Sequence, residues 1–270
     1  VGSTIGRYFS VVSMLPSTLL VGWVAILLAG GAGSGNFALA AAWQAARSVT
    51  VGEIAVFATV ALAISLVLNP FQFAATQFLE GYWGKTQLGS TVAANRTNHH
   101  RRSYRRMRKD KTKAGNDLKG RAEAQRTTER GLLLGAAGDR SVGLQARVDS
   151  LNYEISLYPE TARIMPTRLG NALRSFEDRA GREYGLDILK VAGHLSLLPG
   201  NQRTAYVRDT RESLDLSVRL CGVFGMATLV SCLLLAREGW WVFLALVPYT
   251  AAYLSSRGAV VAALGYGNAV

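Results

Sequence analysis

The residues between His99 and Lys113, HHRRSYRRMRKDKTK, have the types and spacing that point most clearly to a chemistry. Eight of the fifteen are Lys or Arg, and only Asp110 is acidic. Like charges three and four positions apart on a helix repel one another, so such a run needs an anionic surface opposite it. The cations predicted to contact that surface are Arg101, Arg102, Arg105, Arg106, Arg108, Lys109, Lys111 and Lys113.

Three kinds of anionic surface have the chemistry to bind this run. Clusters of four to eight Lys and Arg near a membrane bind anionic lipid headgroups. An acidic protein partner would offer carboxylates, and the alternative to such a partner is a charged segment that is simply solvated. Nucleic acid is less favoured, because Tyr104 is the only aromatic residue among the cations. A straight helix leading from the second apolar segment would start the run about 28 Å beyond the interface, too far to contact lipid. Gly84 and Gly89 allow a break that would return it to the membrane.

No residue pattern typical of an enzyme, a metal site or a cofactor site accompanies the basic run. His99, His100 and His194 lack metal-ligand spacing. The glycines of GLLLGAAGDRSVG and GAGSGN lack the Lys-Ser/Thr of a phosphate loop. Cys221 and Cys232 would lie about 16 Å apart along a helix, too far for a disulfide. We therefore expect neither an enzyme nor a bound metal or cofactor.

Charge and hydrophobicity are segregated along the chain. It has 270 residues, of which 49% are hydrophobic, and a formal net charge of +12. Residues 85–212 contain 25 Lys and Arg against 14 Asp and Glu, and the flanking segments contain few charges. A single soluble domain would have to place both kinds of residue on one surface, so this composition indicates a membrane protein with a basic insert.

Four apolar segments approach the 17 to 25 residues of helix that a membrane span requires. The sequence predicts an all-α polytopic protein with spans at about 8–30, 54–73, 219–237 and 239–257. Its predicted divisions are a transmembrane hairpin (1–84), a basic cytoplasmic helical domain (85–213) and a second transmembrane hairpin (214–270). No cleavable signal peptide is expected, because the first apolar segment is long.

The distribution of cations near the span ends predicts the orientation. With both termini and residues 85–213 in the cytoplasm, ten such cations lie inside and only Arg47 and Arg237 outside. The predicted location is the plasma membrane. Arg219 and Arg257 each lie nineteen residues from Glu238, so a helical hairpin would place their side chains at one depth.

Polar residues and prolines interrupt the predicted spans. Asn69 and Pro70 should kink the second one near its cytoplasmic end, and discontinuous helices also build transporter sites. Pro16 and Pro248 fall within the first and fourth spans. Glu80 is the acid near the inner ends of the spans, so we expect it to pair with Arg219 or Arg257.

The second half of the insert has helical periodicity. Apolar residues recur at helical spacing between Thr167 and Gly185, and a second helix is predicted to end at Pro199-Gly200. A third helix should run from about Gln202 into the third span, because no breaker separates them. These patterns predict a small helical domain.

MPTRLGN, followed by E-D and REYG, resembles a motif of uncharacterised multi-pass membrane proteins from high-GC, actinobacterial-type bacteria. NPFQF followed by FLEGYWG fits the same resemblance, which covers 69–83 and 157–187 and implies no activity. If the motif is a site, Arg168, Asn171 and Glu177 are its polar members. Otherwise Thr167 caps a helix and Gly170 permits close packing.

The leading functional hypothesis is an integral membrane anchor or scaffold. Its cytoplasmic helical domain would contact anionic lipid and an unidentified protein partner. Assembly into a homo-oligomer is a further alternative. The second hypothesis is a small channel or transporter subunit that uses the proline-kinked spans. The third is a membrane-tethered nucleic-acid binder.

Overall fold

The computed structural model describes residues 14–84, 86–127, 134–180, 185 and 201–269. Helices are the regular elements of these ranges, which contain no strand, so the predicted helical fold is confirmed. The chain divides into two compact units. We call the unit drawn from Val1–Leu79 and Ser196–Val270 the apolar unit, and the unit drawn from Glu80–Leu195 the polar unit.

Nine α-helices occupy the described residues. In chain order they are α1 (Leu15–Ala29), α2 (Leu39–Arg47), α3 (Val51–Leu68), α4 (Phe71–Glu80), α5 (Gln87–Thr127), α6 (Leu134–Ser156), α7 (Arg168–Arg179), α8 (Asn201–Leu234) and α9 (Leu246–Ala269). In the apolar unit, α1 packs against α2, α3 and α8, and the most extensive contact joins α8 to α9.

Among the described helices, two are long and apolar enough to cross a membrane, namely α3 and the part of α8 from Ala205 to Leu234. Of the 18 residues of α3, only Ala61 and Ser65 are buried, so its apolar side chains are largely exposed. A core helix of a soluble protein would be buried on most sides. Helix α1 is apolar but has 15 residues, and the predicted start of the first span lies outside the described residues.

The predicted fourth span, 239–257, is not one continuous α-helix. Its first seven residues form a 3-10 helix, Gly239–Ala245, and α9 follows from Leu246. Pro248 therefore lies in the first turn of α9, where its missing N–H interrupts no helical hydrogen bond. Pro16 likewise lies in the first turn of the described part of α1.

Two other predictions about helix continuity are confirmed. Helix α3 ends at Leu68 and α4 begins at Phe71, so the helix is interrupted at Asn69-Pro70. Helix α8 continues without interruption from Asn201 to Leu234, as the lack of a breaker predicted. The predicted helix that ends at Pro199-Gly200 lies outside the described residues.

The hairpin of α8 and α9 is antiparallel with a definite register. A Cβ built on Gly258 would lie 3.7 Å from Oγ of Ser217. Residues whose numbers sum to about 475 therefore face one another, which places Arg219 and Arg257 at nearly the same level along the hairpin. The predicted equal depth of these two cations follows from this register.

In the polar unit, α5 and α6 form an antiparallel hairpin. Helix α5 has 41 residues and is therefore about 60 Å long. His100 in its first half contacts Tyr158, which follows α6, so the two helices run in opposite directions. Helix α4 does not continue into α5, because Gly81 adopts a φ of +99° just after Glu80.

Candidate functional site

Seven of the eight predicted cations lie on one side of α5. At about 100° per residue they cover roughly 160° of the helix surface. Six of the seven are exposed and Arg101 is half-buried. Lys111 is exposed but lies, by its helical position, on the side that carries Met107 and Ala114. We define the basic face as Arg101, Arg102, Arg105, Arg106, Arg108, Lys109 and Lys113.

The basic face contains no acidic residue. Asp110 and Asp117 follow one edge of it by their helical positions. Arg101 and Lys113 are separated by about 18 Å along the helix axis. A shallow open depression on α5 is lined by Arg108, Lys109, Thr112, Lys113, Asn116 and Asp117. Since Lys and Arg only donate hydrogen bonds, this face suits anionic oxygens.

The opposite side of α5 packs against its hairpin partner. Ala114 is buried there, and His100 is 8% exposed with its Nδ1 2.9 Å from the hydroxyl of Tyr158. Burial, with smaller contributions from His99 and Arg168, lowers the pKa of His100 to about 4. His100 is therefore neutral at pH 7, and the hairpin keeps its cations on the exposed side.

The two segments that carry the family resemblance meet within the polar unit. We call this contact between residues 80–82 and 165–177 the motif joint. Thr167 Oγ1 donates to the carbonyl oxygen of Glu80 at 2.8 Å and accepts the N–H of Gly170 at 3.1 Å. Thr167 therefore caps α7, as one interpretation of the motif predicted, and ties its start to the end of α4.

Two glycines allow the chains of the motif joint to approach closely. A Cβ on Gly170 would lie 2.1 Å from the carbonyl oxygen of Glu80, far inside contact distance. A Cβ on Gly81 would lie 2.5 Å from Cγ of Pro166, and its φ of +99° also favours glycine. The close packing predicted at Gly170 is thus observed.

The three predicted polar members of the motif have different surroundings. Asn171 is buried, and its amide accepts the N–H of Met165 at 2.7 Å and donates to the Met165 carbonyl at 3.0 Å. Glu177 is half-buried and pairs with Arg163 at 2.7 Å. Arg168 is the one of the three that is exposed to solvent. Asn171 and Glu177 are therefore committed to contacts within the fold.

Glu80 lies in the motif joint, near Glu177 and Arg174. Burial raises the pKa of the Glu80 carboxyl, Glu177 raises it further, and Arg174 opposes the increase. The guanidinium of Arg174 also lies 6.0 Å from the ring centre of Tyr82. The expected pairing of Glu80 with Arg219 or Arg257 would join the two units and stays a prediction.

Arg219 contacts the helix break of the apolar unit. Its guanidinium donates to Oδ1 of Asn69 at 3.0 Å and to Oε1 of Gln72. Asn69 is the C-cap of α3, and Gln72 belongs to the first turn of α4. The break at Pro70 therefore has a cation from α8 beside it.

The side chain of Glu238, which the sequence analysis did not identify as a site, lies just after the C-terminal end of α8. We call the segments 30–50 and 235–245 the aromatic end of the apolar unit. Oε1 of Glu238 accepts the N–H groups of Gly33 at 3.0 Å and Gly35 at 2.7 Å, and Oε2 accepts that of Phe37 at 2.9 Å.

These three hydrogen bonds depend on the backbone of the loop after α1. Gly31, Gly33 and Gly35 all have φ between +83° and +88°, which turns the N–H groups of alternate residues toward one anion. The bond from Phe37, and then those from Gly35 and Gly33, lower the pKa of Glu238 against the opposing effect of burial. Glycine at every second position was the sequence signal available for this site.

Comparison of the chain with family models, curated proteins and solved structures found no match. Among the described residues, no group of three or more His, Cys, Asp and Glu side chains could hold a metal ion. The basic face, the motif joint and the exposed apolar helices are therefore the features that bear on function.

Proposed function

We propose that the protein is an integral membrane anchor or scaffold that binds an anionic surface through the basic face of α5. The four apolar segments would all cross the plasma membrane, and α3 and α8 are both long and apolar enough to do so. The exposure of apolar side chains around α3 supports this proposal, because such surface is stable in lipid but not in water.

The proposed orientation places both termini and the polar unit in the cytoplasm. Arg219 and Arg257, level with one another on the α8–α9 hairpin, would reach the inner interface. Trp240 and Trp241 would lie at the outer interface with Arg47 and Arg237. The larger number of cations near the inner ends supports this assignment.

The observation that carries the proposed binding role is a face of seven cations with no acid among them. Because α5 and α6 hold one another in a hairpin, this face is preformed and pays little entropy on binding. We propose anionic lipid headgroups as its first ligand, at about 1 kcal/mol for each cation near the surface. An acidic protein partner or a second copy of the chain would bind the polar unit in addition.

The test uses the full chain in phosphatidylcholine nanodiscs immobilised on a surface. Vesicles of phosphatidylcholine with phosphatidylglycerol should be captured, and vesicles of phosphatidylcholine alone should not. Neutralising Arg105 and Lys109 together with Gln should weaken capture roughly 30-fold, because two contributions of about 1 kcal/mol are lost.

The matched control is Arg147→Gln, a neutralised exposed cation on α6 that lies off the basic face. If net charge alone governs capture, the control should lose half as much binding free energy as the double variant, in proportion to the charge removed, and that result would contradict the proposal. Capture of DNA in preference to anionic vesicles, with a steep salt dependence, would favour the nucleic-acid binder instead.

The second candidate function is a small channel or transporter subunit. It is favoured by the helix break at Asn69-Pro70, where Arg219 donates to Asn69 and Gln72, since transporters place binding sites at discontinuous helices. Proteoliposomes that pass a solute, and lose this flux on Asn69→Ala but not on Arg147→Gln, would support this alternative. If proteoliposomes with the original chain pass no solute, the anchor is the better proposal.

A further inference from the structure

The aromatic end contains a short helix with an apolar side that faces solvent. Helix α2, LAAAWQAAR, has nine residues and was not predicted from the sequence. Ala42 packs against the unit, while Leu39 is 48% and Trp43 61% exposed on the adjacent part of the helix surface. Ala41 and Ala45 lie on the far side by their helical positions and are also exposed.

Other exposed aromatic residues lie at the same end of the apolar unit. Trp240 is 71% exposed, and its ring centre lies 4.9 Å from that of Trp241 with the two rings tilted by 33°. Trp241 in turn packs edge-on against Phe37 at 5.1 Å, two residues before α2. These contacts fix the loop after α1 and the turn after α8 at one level, so Trp43 and Trp240 are exposed at one end of the helices.

The charged side chains that the aromatic end presents to solvent are positive. The guanidinium of Arg47 lies 5.1 Å from the ring centre of Trp43, and Arg237 is exposed. Glu238 is buried and bonded to three backbone N–H groups. Glu53 bonds the N–H and hydroxyl of Thr50 as part of a capping box for α3. Both carboxylates are thus engaged locally, and the two arginines are presented outward.

We propose that α2 is an interfacial helix that lies in the phospholipid headgroup layer, with Leu39 and Trp43 at the acyl boundary and Arg47 beside the lipid phosphates. Tryptophan rings collect at this level because they combine an apolar body with a polar N–H, and arginine reaches from apolar surroundings to phosphate. The inference rests on the proposed membrane location of the apolar unit.

Lipid is the occupant that the surroundings of α2 favour. Helix α3 begins four residues after α2, and its first turns expose Val51 and Ile54, so the exposed apolar surface continues from one helix to the next. A planar interface can cover both helices at once. An amphipathic helix of this kind binds with its axis in the plane of the membrane.

Site-directed spin labelling of the full chain tests this placement. In a background of Cys221→Ala and Cys232→Ala, single cysteines replace Leu39 or Trp43 on the proposed lipid side and Ala41 or Ala45 on the opposite side. The labelled chains are reconstituted in bilayers of phosphatidylcholine and phosphatidylglycerol. Collisions with oxygen, which concentrates in lipid, and with a water-soluble nickel complex are measured at each site.

We expect the ratio of oxygen to nickel collisions to be several-fold higher at positions 39 and 43 than at 41 and 45. Equal ratios at all four positions would overturn the interfacial placement. A label at Val60, in the middle of α3, separates this failure from a failure of the membrane proposal. If Val60 is oxygen-accessible while 39 and 43 are not, only the inference about α2 is wrong.

Discussion

The backbone N–H of Phe37 donates to Oε2 of Glu238 at 2.9 Å, across 201 residues of sequence. The same side chain accepts from Gly33 and Gly35, so one carboxylate holds the loop after α1 against the turn after α8. Phe37 also forms a buried apolar cluster with Leu27 and Leu235. The aromatic end is therefore stabilised by a charge and by apolar burial at once.

Replacing Glu238 with Gln should loosen this end. The Gln amide would offer a donor where Phe37 or the glycines need an acceptor, so at least one buried N–H would lose its partner. We expect the amides of Gly33, Gly35 and Phe37 to exchange hydrogen about tenfold faster.

Glu53→Gln is the control for this change, because Glu53 is exposed and bonds only within its own capping box. It should leave the exchange of the three loop amides unchanged. Unaltered protection in Glu238→Gln would show that the carboxylate is not what holds the loop.

Gly170→Ala should disrupt the motif joint. Its added Cβ would lie 2.1 Å from a backbone carbonyl oxygen, which cannot move aside as a flexible side chain could. The expected loss of stability is about 1–3 kcal/mol, read as a lower midpoint of chemical unfolding in detergent. Gly143→Ala on α6 meets no atom within 4 Å and should be neutral or slightly stabilising. Equal midpoints for both variants would contradict the observed packing.

Substitutions at Asn171 and Arg168 separate a packed motif from a binding motif. Asn171→Leu would leave the N–H and carbonyl of Met165 without their side-chain partner and should destabilise the fold by about 1–3 kcal/mol. Arg168→Gln removes an exposed cation and should leave the unfolding midpoint within about 0.5 kcal/mol. If Arg168→Gln abolishes binding of a partner and leaves the unfolding midpoint unchanged, the motif is a binding site as well as a packing contact.

The stability of the polar unit should depend on pH through His100. Its pKa is about 4 in the fold against an ordinary value of 6.5. Between these values the unfolded chain binds a proton that the folded chain does not, so stability is complete above pH 6.5 and declines as the pH falls toward 4. We expect a loss in the free energy of unfolding of up to about 3 kcal/mol over this interval, measured by chemical unfolding at several pH values.

His100→Gln should remove most of this pH dependence, because Gln has no titrating group. His99→Gln, a change at the exposed neighbouring position, should retain it. An equally steep pH dependence in His100→Gln would assign the effect to other groups.

Arg219→Met should destabilise the apolar unit by about 1–3 kcal/mol, because Asn69 and Gln72 lose the donor they share. The measurement is the melting temperature in detergent micelles. Arg208→Gln, in the same helix, breaks only an exposed pair with Glu212 at 3.6 Å and should have little effect. A larger decrease in the control than in Arg219→Met would be inconsistent with a clamp at the helix break.

Features that depend on residues close together in the chain could be predicted from the sequence. Helix periodicity, the break at Asn69-Pro70, the Thr167 cap and the unbroken α8 are set by local backbone preferences. The register that places Arg219 and Arg257 at the same level could also be predicted, by counting residues from each arginine to the turn of one hairpin. In each case the residues that decide the outcome lie within a few turns, or within one helix pair.

Only the tertiary structure decided the contacts between distant segments. Glu238 is an ordinary turn residue by sequence, and it becomes a bound carboxylate because three glycine-turned N–H groups from another part of the chain reach it. The motif joint likewise required residues 80–82 and 165–177 to meet, and α2 was missed because nine residues give little periodic signal. Residue types along a chain determine which groups need a hydrogen-bond or packing partner, but the packing of helices determines which partner lies within contact distance.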